Sequence, residues 1–252
     1  MASSWIICLK RSSPPASLRL FCFHHAGGSA AAYRAWSAAL GDRIEVCAVQ
    51  TPGRDNLFAL PRHQSLKTLV PELVPRLRPW LDRHFAFFGH SLGALTAFAT
   101  SIALRDARLP TPSRLFLSGC RPPHLPRARP NLSGAPEPEL IEALTGLGSQ
   151  SLPALQNLEL RELMLPTLRD DLRMAESYRH EAGPALRCPV SVFAGADDAS
   201  ATQDALNEWR QYTVGDFGLR TFSGGHFFVE DSRAAVLEAV RRDLEINPGI
   251  AG

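Results

Sequence analysis

Residues 87–95 read FFGHSLGAL, so Ser91 stands between two glycines, behind an apolar run and ahead of a helix-forming one. GHSLG satisfies G-x-S-x-G, in which a sharp strand-to-helix turn lifts a serine hydroxyl over the end of a sheet and the glycines permit close backbone approach. At ordinary glycine and serine frequencies such a pentapeptide arises by chance in about one chain in ten of this length, so the pattern alone is weak. Its setting is more specific, because FAFFG supplies the strand and ALTAFATSIAL the helix. A serine attacks only when a base takes its proton and a third group orients that base. After a turn of this kind the acid and then the histidine follow the serine along the chain. PVSVFAGADD puts Asp197 and Asp198 just beyond one strand-like run, and FSGGHFF puts His226 just beyond the next. The Gly, two residues, Asp spacing from Gly195 favours Asp198 as the acid; Asp197 is the alternative, or a cap for the next helix. For His226 the alternative is a structural or surface role.

The oxyanion of a tetrahedral intermediate needs two donors, one from the residue after the serine and one from the loop after an early strand. These are the N–H of Leu92 and, in HHAGGS at 24–29, the N–H of Ala26, unless that stretch is a plain glycine-rich turn. His24 and His25 are expected to brace this loop, and His90 to pack away from the serine. Asp170 and Asp171 read as a solvated helix face.

These side chains require a scaffold, and its elements are visible. Strand-length apolar runs lie at 18–23, 44–49, 85–89, 114–120, 189–195 and 219–225. Between them lie AAAYRAWSAAL, a segment from Ser65 to about Arg83, ALTAFATSIAL and a final AAVLEAVRRDLE. Strands apolar on both faces and separated by helices predict an α/β fold, with a mostly parallel sheet covered on both sides. Pro71 and Pro75 predict a kink or break in the helix at 65–83. From about 121 to 187 the rhythm fails, and a proline-rich opening leads into helical patterns with no strand. That span is expected to be a helical lid inserted in a single domain over 1–252.

Composition narrows the function. Hydrophobic residues make up 45% and charged residues 21% of 252, which suits a globular core. With 27 basic and 25 acidic residues the net charge is +2, and no block of like charge points to nucleic acid or an anionic membrane. Only Lys10 and Lys67 are lysines. The five cysteines include no CxxC pair and sit mostly in or beside apolar runs, as free thiols in a reducing cytoplasm would. MASSWIICLKRSS carries its charge after a short apolar stretch, the reverse of a secretory signal, and no run approaches the roughly 18 apolar residues of a membrane span. A soluble cytoplasmic protein is expected.

Taken in order, LFCFHHAGGSAAAYRAW, QTPGRDN, FFGHSLGA, LSGCRPP, LPTLRDDLRMAESY, VFAGADD and FSGGHFFV make the chain resemble a type II thioesterase. This is the stand-alone α/β-hydrolase encoded with nonribosomal peptide and polyketide synthases. The chain is also similar to the thioesterase that releases medium-chain products from animal fatty acid synthase. The resemblance implies a triad of Ser91, Asp198 and His226 with oxyanion donors at Ala26 and Leu92. It implies acyl or peptidyl groups on the phosphopantetheine arm of a carrier protein as substrates, and no metal or bound cofactor; a monomer is the separate expectation. Two departures from the family pattern are Asp55 and Asn56 after PGR, beside the expected pocket entrance, and Ala199 after the acid. A small-molecule carboxylesterase or lipase is the competing enzyme, and a catalytically silent binding module the competing class.

Overall fold

The computed structural model describes residues 4–9, 16–148, 155–181 and 183–245. Seven strands form one sheet: β1 (Ile6–Cys8), β2 (Leu18–Phe23), β3 (Ile44–Val49), β4 (His84–His90), β5 (Leu115–Ser118), β6 (Val190–Gly195) and β7 (Phe217–Phe222). Their order is β1-β3-β2-β4-β5-β6-β7, with β1 antiparallel to β3 and every other pair parallel. Side chains alternate across the sheet, so Phe21, Phe23 and Phe87 enter one apolar core while Leu20, Cys22 and Phe88 enter another. Helices α2 (Leu66–Leu77) and α3 (Leu92–Asp106) cover the first face. Helix α1 (Arg34–Ala39) and the C-terminal helix Arg233–Glu245 cover the second. This is the α/β-hydrolase fold, and six of its seven strands fall on the expected apolar runs.

β1 was not among the expected strands. Its three residues are too few to display a period, and its partner β3 supplies the ladder. The break predicted at Pro71 and Pro75 is also absent, because α2 runs uninterrupted through both. Both prolines lie on the exposed face, where the carbonyls they leave unpaired meet water. The opposite face, Leu66, Leu69, Leu73 and Leu77, is buried in the core that also holds α3.

Between β5 and β6 lie α4 (Glu137–Gly146) and the twenty-residue α5 (Leu158–Ser177). Leu140, Leu144, Leu155, Leu165 and Leu168 give them a small apolar cluster of their own, against which Ala26 also packs. Residues 149–154 and 182 of the expected insertion, and both ends of the expected domain span, lie outside the described residues. No helix among the described residues is long and apolar enough to cross a membrane.

Sheet register places the chemistry. Phe23 pairs with Gly89, His90 with Ser118, and Gly195 with Phe222, so these strands end along one sheet edge. The chain order reverses between β2 and β4, with β3 on one side of β2 and β4 on the other. Such a switch point opens a crevice beyond the strand ends, where ligands bind in open α/β sheets.

Candidate active site

Ser91 sits at this switch point with φ 56° and ψ −119°, a conformation an L-residue adopts only when its surroundings hold it there. Its N–H donates to the Ser118 carbonyl at 2.9 Å, and its carbonyl accepts from Ala94 at 3.0 Å. The flanking glycines are required sterically. A Cβ on Gly89 would lie 2.0 Å from the Gly93 carbonyl oxygen, and one on Gly93 would lie 2.0 Å from that of Phe23. Gly93→Ala is therefore expected to force α3 away from β2 and cost about 1–3 kcal/mol, the range for overpacking a rigid core. Thermal denaturation of the variant checks this, and an unchanged Tm would contradict it.

His226, four residues past β7, turns its Nε2 to within 3.1 Å of Ser91 Oγ. Its Nδ1 lies 2.7 Å from Asp198 Oδ2, and Asp198 Oδ1 accepts from the Ser200 N–H at 2.9 Å and hydroxyl at 2.5 Å. Asp198 is 4% exposed. Burial opposes its charge, but the hydrogen bond and charge of His226 and the two Ser200 donors outweigh it, holding the carboxyl below its usual range. An ionised acceptor assigns the proton to Nδ1 and leaves Nε2 free to accept from the serine. Asp197 is exposed and does not cap the following helix; Thr202 does.

The other nearby histidines are kept neutral. Burial, with the Arg54 charge second, pushes His24 down to about 3. Burial and the neighbouring His226 push His25 down to about 4 and hold His90 well below its ordinary value. His90 Nδ1 meets Ser118 Oγ at 3.0 Å, away from the Ser91 hydroxyl. His25 packs edge-on against Phe227, with ring centroids 5.1 Å apart.

Ala26 and Leu92 line the same cleft as Ser91 and His226. Neither N–H has a protein acceptor among the hydrogen bonds of the described residues. Asp55 and Asn56 stand away from the cleft lining, Asp55 accepting from Gln50 and Asn56 donating to the Ser4 carbonyl. Among the described residues, Cys8, Glu45 and Cys47 are the one group close enough to share a metal ion. They lie on β1 and β3, and Glu45 is already bonded to Arg19 at 2.6 Å.

Asp170 and Asp171 correct the sequence reading: neither is solvated. Asp170 accepts from Arg62 at 2.7 Å and Gln64 at 2.8 Å. Asp171, 1% exposed, accepts from the Gly27 N–H and both terminal nitrogens of Arg54. Two acids adjacent in a helix normally straddle its outer face. Here α5 is covered on that side by the loops after β2 and β3, a packing that residue spacing along α5 does not reveal.

The thioesterase domain family matches residues 18–244. The gramicidin S biosynthesis protein GrsT of Aneurinibacillus migulanus is 33% identical over 231 residues, covering 92% of this chain and 90% of that protein. Among solved structures, the RedJ thioesterase of the prodiginine biosynthetic pathway in Streptomyces coelicolor has a TM-score of 0.85 at 36% identity, covering 90% of each chain. The type II thioesterase BorB of the borrelidin biosynthetic cluster has a TM-score of 0.84 at 34% identity, covering 96% of each. A serine, histidine and aspartate in bonding order at one sheet edge, under a sequence and fold matched nearly end to end, make the chain a hydrolase of thioester bonds that belongs to the thioesterase domain family.

Proposed function

We propose that the protein hydrolyses acyl or peptidyl thioesters carried on the phosphopantetheine arm of carrier proteins, as an editing or release enzyme of nonribosomal peptide or polyketide biosynthesis. Ser91 gives its proton to His226 Nε2 as its oxygen bonds to the thioester carbonyl carbon. The charge on the former carbonyl oxygen is received by the N–H groups of Ala26 and Leu92. The C–S bond then breaks, His226 protonates the departing thiolate, and the acyl group stays on Ser91. Water next gives a proton to His226 and bonds to the acyl carbon. The Ser91 ester bond breaks, the serine recovers its proton, and a free acid leaves. Asp198 keeps the imidazole oriented through both halves. The reaction uses no metal or resident cofactor, since the phosphopantetheine belongs to the substrate. The α4–α5 segment serves as the lid, and the enzyme works as a cytoplasmic monomer.

The observation that carries this reading is the cleft itself. Beside Ser91 and His226 it is lined by Arg121, Arg127, Arg129 and Arg179 and, among the described residues, by no carboxylate, in a chain whose net charge is only +2. None of the four forms an ion pair among the described residues. A phosphodiester-bearing arm is the matching ligand, because guanidinium groups bind phosphate oxygens through charge-assisted hydrogen bonds. An uncharged ester gains nothing from them. Arg127→Ala with Arg129→Ala is expected to raise KM about tenfold for an acyl-carrier protein, an effect weakened by salt. The same acyl group on N-acetylcysteamine, which lacks the phosphate, should be unaffected. Steady-state rates on both substrates and on p-nitrophenyl esters check this; equal efficiency on all three would remove the case for a carrier partner.

A further inference from the structure

The loop that carries the Ala26 N–H is locked by groups from two distant parts of the chain, the turn after β3 and α5. A peptide unit is planar, so a held carbonyl also aims the N–H on its opposite side. The His25 carbonyl accepts from the Gly28 N–H at 3.0 Å and faces His24 Nδ1 at 2.8 Å. Since a carbonyl can only accept, that nitrogen carries the His24 proton; the Arg54 Nη1 that stands 3.3 Å from it is then a contact and not a hydrogen bond, and Nε2 accepts from Thr51 Oγ1 at 2.9 Å. This fixes the first peptide plane and with it the direction of the Ala26 N–H.

The next plane is fixed from α5. Asp171 Oδ2 accepts from the Gly27 N–H at 2.8 Å, and Gly27 has φ +72°. A Cβ on Gly27 would lie 3.0 Å from Leu168 Cδ1, one helical turn before Asp171, so loop backbone and helix are in direct contact. Arg54, from the turn after β3, binds both Asp171 oxygens, at 2.8 and 2.7 Å. It also donates to the Gly28 carbonyl at 2.7 Å. The pair thus holds one donor and one acceptor of the loop at once. Asp171 bonds no group in the catalytic chain, and neither residue lines the Ser91 cleft. A buried bidentate ion pair is an expensive way to secure a surface loop unless that loop must be held rigidly.

We infer that Asp171 and Arg54 are positioning residues for the oxyanion hole, acting through Gly27 and Gly28 to hold the Ala26 N–H where the tetrahedral oxygen develops. The oxyanion donor is thereby tied to α5, so the helix over the cleft and the donor are set together. The inference rests on the proposed roles of Ser91 and Ala26.

The test compares wild type with Asp171→Ala, Asp171→Asn, Arg54→Lys and Asp170→Ala on octanoyl-N-acetylcysteamine. Activity is expressed per active site titrated with a fluorophosphonate, so that misfolded protein is not counted. The second readout is Ki for an octylthio trifluoromethyl ketone, which forms a tetrahedral adduct on serine and reports on oxyanion stabilisation. Asp171→Ala is expected to lower kcat about 100-fold with little change in KM, the loss typical of one oxyanion donor. It should raise Ki by the same factor. Asp171→Asn keeps an acceptor for Gly27 and should lose less. Asp170→Ala removes a buried, paired acid from the same helix without touching the loop, and should leave both constants unchanged. If Asp171→Ala does not fold, Asp171→Asn and Arg54→Lys carry the same comparison. Asp171 and Arg54 variants with wild-type kcat and Ki per titrated site would overturn the inference alone. A wild type insensitive to the ketone, with Ser91→Ala fully active, would instead remove the catalytic reading beneath it.

Discussion

Ser91→Ala is expected to lower kcat on an acyl-carrier thioester by about 10⁶-fold, the scale at which other serine hydrolases lose turnover when the nucleophile goes. Among the described residues the Ser91 hydroxyl is the one cleft group within bonding distance of His226 Nε2, so none of them can take over the attack. His24 and His90 are buried, His25 is partly buried, and all three are held neutral, while Cys120, the thiol lining the cleft, is pushed up to about 12 by burial. Affinity for the carrier should persist, because the arginines that line the approach are untouched. Single-turnover hydrolysis together with calorimetric titration of the loaded carrier checks both halves. A variant that still accumulates an acyl-enzyme would end the proposal.

Asp198→Asn is expected to cost about 10⁴-fold in kcat, with the fold intact. The amide presents either an N–H or a neutral oxygen to His226 Nδ1. The N–H would force the proton onto Nε2, the nitrogen that has to accept from Ser91, and the neutral oxygen stabilises the imidazolium far less. The same substitution separates a stability effect. The folded-state pKa of Asp198 is depressed, so its contribution is present above the unfolded carboxylate range near about 4 and is lost as pH falls through the folded value. Wild-type Tm should therefore fall more steeply than that of Asp198→Asn between pH 6 and pH 3. Parallel curves would show that the carboxylate carries no net stabilisation.

The elements were largely readable because a buried parallel strand must be apolar on both faces, a signal contained in six or so consecutive residues. β2 and β3 coincide with their apolar runs end to end, and β6 begins one residue later. β1 escaped notice because three residues carry too little pattern and its partner lies some forty residues away. The proline argument failed at α2 for a related reason. It weighs only a lost hydrogen bond, whereas the helix is held by the packing of its opposite face, and nothing local states which face the prolines occupy.

The candidate site divides along the same line. The types and chain order of Ser91, Asp198 and His226 follow from short motifs, because the elbow needs glycines within a few residues and the partners need only follow strand ends. Choosing Asp198 over Asp197 rested on spacing; the structure adds the 2.7 Å contact with His226 and leaves Asp197 in solvent. Asp171 was misread because its partners, Arg54 and Gly27, lie 117 and 144 residues away in sequence. A carboxylate on a helix looks the same in one dimension whether water or a buried guanidinium faces it. Local chemistry in the chain thus nominates which residues are fit to react and which strands carry them. Distance, burial and the coupling of α5 to the Ala26 loop arise only when segments remote in sequence pack together, since those depend on what stands opposite each side chain.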